Sequence, residues 1–268
     1  MSVANVLRAA APWRVRELTR LDADLGRRHA LSTRVGVVGV APGVGTSTVA
    51  GTMGALLAER RGDRVLAVNA AGPGGPGRSL LWHAGLEDAP ASMHAPVPGE
   101  RFEQVAAELP RARSGAYGIE LGTDERAWWT VVAPRARFFD VVVCDWGARS
   151  LGTLGPVAAS SSVVCVVAPQ QIGALQLAVN LAGALDAAGV APVVCVTDLE
   201  GRTPGGIAQI CDLLPYPVAR FSHERGRRRP GRAVTVSAHL SAMRAAAAVL
   251  AAATTTQGAA QGPAGGTA

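Results

Sequence analysis

The chain contains no lysine; all 26 of its basic residues are arginine. Chemistry that depends on a lysine ammonium, from a point charge on a phosphate to a Schiff base, has to be done otherwise here. Aromatic residues make up only 4% of the sequence, so the core must be built from Val, Leu and Ala. The histidines, among them His83, His94, His223 and His239, have no ligand spacing. No Ser-His-Asp arrangement can be read from the order, which argues against a hydrolase of that kind. The cysteines lack a metal-ligand pattern. Cys144, Cys165 and Cys195 each sit inside an apolar run (VVVCD, VVCVV, VVCVT) and read as small buried hydrophobes in a reducing compartment. The apolar runs fall short of the roughly 20 residues that a spanning helix needs. The N-terminal MSVANVLRAAAPWRVR has no uninterrupted apolar stretch of signal-peptide type. These absences lead to the expectation of a soluble, cytoplasmic protein.

What is present points to one domain with tails. Of the 268 residues, 49% are apolar, enough for a large core. The abundance of Ala and Gly suits a GC-rich genome, a bias that erodes lysine in general but rarely removes one that chemistry requires. A net charge of +6 and a pI near 10.0 favour loose attraction to nucleic acid, anionic lipid or acidic proteins and say nothing about fold.

Strand and helix signals alternate along the chain. Residues 1–33 form an arginine-rich lead-in, helical over about 13–30. Apolar strand runs fall at 35–40, 64–70, 141–145, 162–169 and 192–198, with a further strand at 115–121. Helices are expected at 47–61, 78–85, 101–108, 124–136, 170–189, 204–213 and 236–253. Residues 254–268, rich in Thr, Gln, Gly and Ala, read as a disordered tail. The alternation argues for an α/β fold, doubly wound, with a mainly parallel sheet and helices on both faces.

The stretch GVVGVAPGVGTSTVAG, residues 36–51, carries the chemistry. An apolar strand leads into a glycine-rich turn, and Ser and Thr open a helix. In such a loop the backbone N–H groups cradle phosphate oxygens and the helix dipole adds positive potential. Gly43 and Gly45 can supply the unusual backbone angles. Ser47 would offer its hydroxyl to a magnesium ion, but Thr46 stands where phosphate loops carry their lysine.

This stretch resembles the deviant Walker loop of the MinD/ParA family, K-G-G-x-G-K-[ST]-T. Ala41 and Thr46 fall on its two lysines and Pro42 on its first glycine, while Gly43, Gly45, Ser47 and Thr48 match. The family's D-x-D-P segment corresponds to VNAAGP, with Asn69 and Ala71 at the acidic positions. FFDVVVCDWGA resembles the apolar strand that ends in the family's magnesium-associated aspartate, here Asp145, with Gly147 opening the turn beyond it. The late strand ends in Thr197 and Asp198, where the family reads its base with an Asn, and LLPYP at 213–217 resembles the segment before the last helices. The resemblance spans residues 34–253. It implies a P-loop NTPase fold, ATP and magnesium as ligands, and a nucleotide site formed by Gly43, Val44, Gly45, Thr46, Ser47 and Thr48, with Ser47 and Asp145 at the metal. The arginine-rich lead-in is similar to that of MinD-like proteins found beside actinobacterial secretion systems.

Two functions follow from the resemblance. One is a pseudo-ATPase that regulates or partners others in positioning, partitioning or secretion. The other is a slow ATPase that acts through an ATP-dependent dimer. Two cations and the acidic pair are missing, which favours the first; Arg78, Arg149 or a partner's arginine is the route back to the second. Partners implied are a second copy or an active paralogue. The run HERGRRRPGR, with Arg225, Arg227, Arg228, Arg229 and Arg232, is a candidate for non-specific DNA or an acidic protein. The tail has no amphipathic helix, so direct membrane docking is not expected. Trp128 and Trp129 are expected to divide between core and interface, and Trp146 to lie near any bound phosphate.

Overall fold

The computed structural model describes residues 12–27, 32–61, 64–72, 79–86, 100–199, 205–222 and 235–260. The strands are β1 (Thr33–Gly39), β2 (Val65–Asn69), β3 (Tyr117–Glu120), β4 (Val141–Ala148), β5 (Val163–Pro169), β6 (Ala191–Thr197) and β7 (Val218–Phe221). They form one all-parallel sheet in the order β3-β2-β4-β1-β5-β6-β7. The central strands are continuous Val-rich runs because both faces are covered and no residue needs to meet water.

One face carries α1 (Pro12–Gly26), α2 (Thr46–Arg61), α3 (Leu80–Ala84) and the last helix. Its core joins Val35, Val37, Val141 and Val143 to Val49, Met53 and Leu57 of α2. The other face carries α4 (Phe102–Ala107), α5 (Glu125–Ala127), a π-helical turn (Trp128–Val132), α6 (Ala133–Ala136), α7 (Gly155–Ser160), α8 (Ile172–Ala187) and α9 (Ile207–Asp212). The chain closes with α10 (Val236–Ala260), which packs against β5, β6, β7, α1 and α2. By length and composition Val236–Thr255 could cross a membrane, but most of it is buried in this core.

Several expectations are corrected. The helix at 124–136 is broken by the π-turn, because Pro134 has no N–H to donate back to residue 130. β4 runs on past Asp145 to Ala148. Helix α7 and strand β7 lie where the sequence suggested neither; β7 is short and follows Pro217, so it presents little alternating pattern. The last helix continues through 254–260 rather than ending at 253, with the Thr254 and Thr255 hydroxyls bonding back to the carbonyls of Leu250 and Ala251. Residues 261–268 of the expected tail lie outside the described residues, as do residues 1–11 and 28–31 of the lead-in.

Candidate nucleotide-binding site

The crevice lies at the carboxyl ends of β1 and β4, where chain connections diverge to either side of the sheet. Residues 40–45 wrap from β1 to α2. Gly43 and Gly45 both take positive φ, 80° and 94°, the backbone conformation that a phosphate-cradling loop draws on. The first turn of α2 starts from the Gly45 carbonyl, which accepts from Val49 N at 2.9 Å. Val44 turns its side chain into the core, and Thr197 Oγ1 holds its carbonyl at 2.9 Å. Thr197, expected near a base, therefore anchors the loop. Thr46 is buried, and a Cβ at Gly39 would overlap its Oγ1 and stand 2.8 Å from Val44 Cγ2, so the loop closes tightly over the end of β1. The Thr48 hydroxyl faces His83 Nε2 of α3 at 3.1 Å, a contact that the spacing of the histidines did not suggest.

Asp145 stands opposite Ser47. Parallel pairing puts Asp145 in register with Val37 of β1, but Gly39 pairs with Ala148, so β4 carries an extra residue just past the aspartate. Gly147 absorbs this bulge at φ 67° and donates its N–H to Asp145 Oδ1 at 2.9 Å. Asp145 is fully buried, and its Oδ2 has no hydrogen-bond partner among the described residues. Burial pushes its carboxyl above the usual range; a hydrogen bond from the Ser47 side chain, the bond from the Gly147 N–H and the Arg149 charge partly offset this.

The acidic position at the end of β2 is not simply empty. Asn69 lies in register with Asp145 on one side and Glu120 of β3 on the other. Its Nδ2 donates to both Glu120 carboxylate oxygens, at 2.8 and 2.9 Å, and to the Gly72 carbonyl at 3.0 Å. Burial, opposed by the bonds from Asn69 and Gly122, raises the Glu120 carboxyl, and the Asp145 charge raises it further. Sequence reasoning missed Glu120 because nothing local marks a glutamate ending a short strand; only strand order brings it beside Asn69.

Arg149 follows directly, its N–H bonded to the Gly39 carbonyl at 3.0 Å. Its guanidinium pairs with Glu125 at 3.4 Å and lies over the Trp146 ring. This cation, one of those that could stand in for the loop lysine, is thus engaged by Glu125 and the Trp146 ring. Trp146 is corrected too. It packs on Trp128, with ring centroids 5.5 Å apart, on the face opposite Asp145, because neighbouring strand residues point to opposite sides. Trp128, 1% exposed, is the core member of the pair, and Trp129 is 47% exposed. The described cysteines are free and buried; the Cys195 thiol and burial push Cys165 well up, and burial does the same to Cys144. Arg78, Arg225, Arg227, Arg228, Arg229 and Arg232 lie outside the described residues.

Whether this site suits a magnesium ion can be judged from its donors. A buried carboxylate oxygen without a partner, facing a serine hydroxyl beside a glycine cradle, is a hard-oxygen set of the kind magnesium takes. The residues fit the ion, and the lysine position does not supply a cation.

No protein-family model matches the sequence, and no curated protein matches it. Solved structures do. A chain of the MinC:MinD cell division protein complex of Aquifex aeolicus aligns at a TM-score of 0.60 and 16% identity, over 82% of this chain and 96% of that one. The cell division ATPase MinD of Pyrococcus furiosus gives 0.58 and 17%, over 81% and 98%. Cobyrinic acid a,c-diamide synthase of Mycobacterium smegmatis, solved with an ATP analogue and magnesium, gives 0.51 and 20%, over 81% and 92%. The fold is that of the MinD/ParA-type P-loop ATPases, as the loop motif implied.

Proposed function

We propose that the chain binds ATP with magnesium at residues 43–48 and acts as a pseudo-ATPase, a nucleotide-dependent partner or regulator in positioning, partitioning or secretion. The observation that carries this reading is the unpartnered, buried Oδ2 of Asp145 beside Ser47, at the mouth of a loop whose backbone form is intact. Leaving a buried acceptor unmade costs about 1–3 kcal/mol, which a bound cation would recover. When bound, magnesium would neutralise phosphate charge; the loop N–H groups would hold the phosphates, and Ser47 and Asp145 would hold the ion. Turnover is disfavoured because Thr46 brings only a hydroxyl and Arg149 is engaged by Glu125. Each missing cationic or oxyanion donor is worth about 3 kcal/mol in the transition state.

The likeness to a chain of the MinC:MinD complex supports a partner-binding role, with a second copy or an active paralogue as candidate partners. The arginines at 225–232 are proposed to meet DNA phosphates or an acidic protein. Titration calorimetry with ATP and magnesium tests the reading. Micromolar binding that is lost in Asp145→Ala, with no hydrolysis, is the expected result. Steady turnover abolished by Asp145→Ala would establish the ATPase instead, and no binding at millimolar ATP would refute the nucleotide site. Thr46→Lys should tighten ATP by about tenfold, equivalent to about 1.4 kcal/mol.

A further inference from the structure

The acids missing from positions 69 and 71 leave the question of what aims Asp145. Its Oδ1 is fixed by the Gly147 N–H, and Gly147 sits at a strand bulge that needs support. That support comes from the turn after β2: a Cβ on Gly147 would lie 3.1 Å from the Ala71 Cβ, so the two residues are in close contact. The turn is held in its own right by Asn69. Asn69 Oδ1 accepts from Ala71 N at 3.4 Å, and its Nδ2 donates to the Gly72 carbonyl. Asn69 is fully buried, and its amide is oriented by the Glu120 carboxylate, which accepts from the same Nδ2. A continuous set of contacts thus runs from Glu120 through Asn69, Ala71 and Gly147 to Asp145. An aspartate at 69 would set two carboxylates against each other at hydrogen-bond distance; asparagine with Glu120 keeps one charge and a fixed amide.

We propose that Glu120 is a positioning residue of the site, which fixes the Asn69 amide and, through the 70–72 turn and Gly147, sets the aim of Asp145 at the metal position. Its use in ligand binding rests on the nucleotide reading given above; the coupling between Glu120 and Gly147 does not.

The test uses the full chain labelled for NMR, without nucleotide, as wild type, Glu120→Gln, Glu120→Asp and Asn69→Asp. In the wild type the Asn69 side-chain amide signals should move with a carboxylate titration; Glu120→Gln should abolish this and Glu120→Asp keep it. Gly147 amide exchange should rise about tenfold in Glu120→Gln and return most of the way in Glu120→Asp, while the β5 amides from Val163 to Ala168 keep their protection. Asn69→Asp supplies an arm that leaves position 120 intact. Compared with wild type at the same pH, Gly147 protection should drop there at neutral pH and recover on acidification, a reversal that mere loss of packing would not give. Unchanged Gly147 exchange in Glu120→Gln and Asn69→Asp would overturn the proposal. Addition of ATP with Mn²⁺ separates the two readings. If the wild type binds, Glu120→Gln should weaken it about tenfold and Glu120→Asp recover it. If the wild type does not bind, the nucleotide reading fails, and the exchange data alone decide the role of Glu120.

Discussion

The loop at 40–48 and the carboxylate edge at β2, β3 and β4 differ from the MinD/ParA sequence pattern in opposite ways. In the loop the glycines match and the charges do not: Gly43 and Gly45 take positive φ, Thr197 clamps the Val44 carbonyl, and α2 starts at Thr46, yet Ala41 and Thr46 bring no cation. At the edge a charge is present at another position: Asn69 is neutral, and the carboxylate beside it belongs to Glu120 on the next strand. A phosphate cradle made of backbone N–H groups depends on conformation, so it survives loss of side-chain charge. A carboxylate acts over a few ångströms, so a neighbouring strand can supply it.

The largest way to break the comparison is Trp128→Ala. It would remove the aromatic packing behind Trp146 and Asp145, and should cost about 3–5 kcal/mol in urea unfolding. Trp129→Ala, at an exposed site, should cost less than about 0.5 kcal/mol; equal losses would refute this division of the pair. Gly39→Ala attacks the loop alone. The new methyl would overlap Thr46 Oγ1 and crowd Val44, for a loss of about 1–3 kcal/mol by the same unfolding measurement. Thr197→Val removes the hydroxyl that serves the Val44 and Ala168 carbonyls, at 2.9 and 3.3 Å. It should cost about 1–2 kcal/mol and speed amide exchange in the loop while leaving β2 unchanged.

Asp145→Asn sharpens the edge side with a modest effect of the opposite sign. The Asp145 carboxyl is raised in the folded state, chiefly by burial, so the folded protein holds its proton more tightly than the unfolded chain. The stability this provides is complete below the unfolded carboxylate range and is lost as pH rises through the folded value. Asp145→Asn should therefore be more stable than wild type at pH 7, on the order of 1 kcal/mol, with the gain vanishing in acid. Thermal melts across pH check this; a gain that persists at low pH would show that the charge is not its source.

Much of this molecule was determined by its sequence alone. The Val-rich runs around Cys144, Cys165 and Cys195 could only be strands covered on both faces, and the glycines at 43 and 45 could only make a tight loop into a helix, since few other residues accept those angles. Asp145 was legible because it closes such a run. The tertiary structure decided what sequence distance conceals. Strand order set Glu120 against Asn69, 51 residues away, and Thr197 against Val44, 153 residues away. Alternation along a bulged strand sent Trp146 away from the crevice and Arg149 toward Glu125. Local backbone preference is written in adjacent residues, whereas the placing of a charge is written in the order in which strands pair.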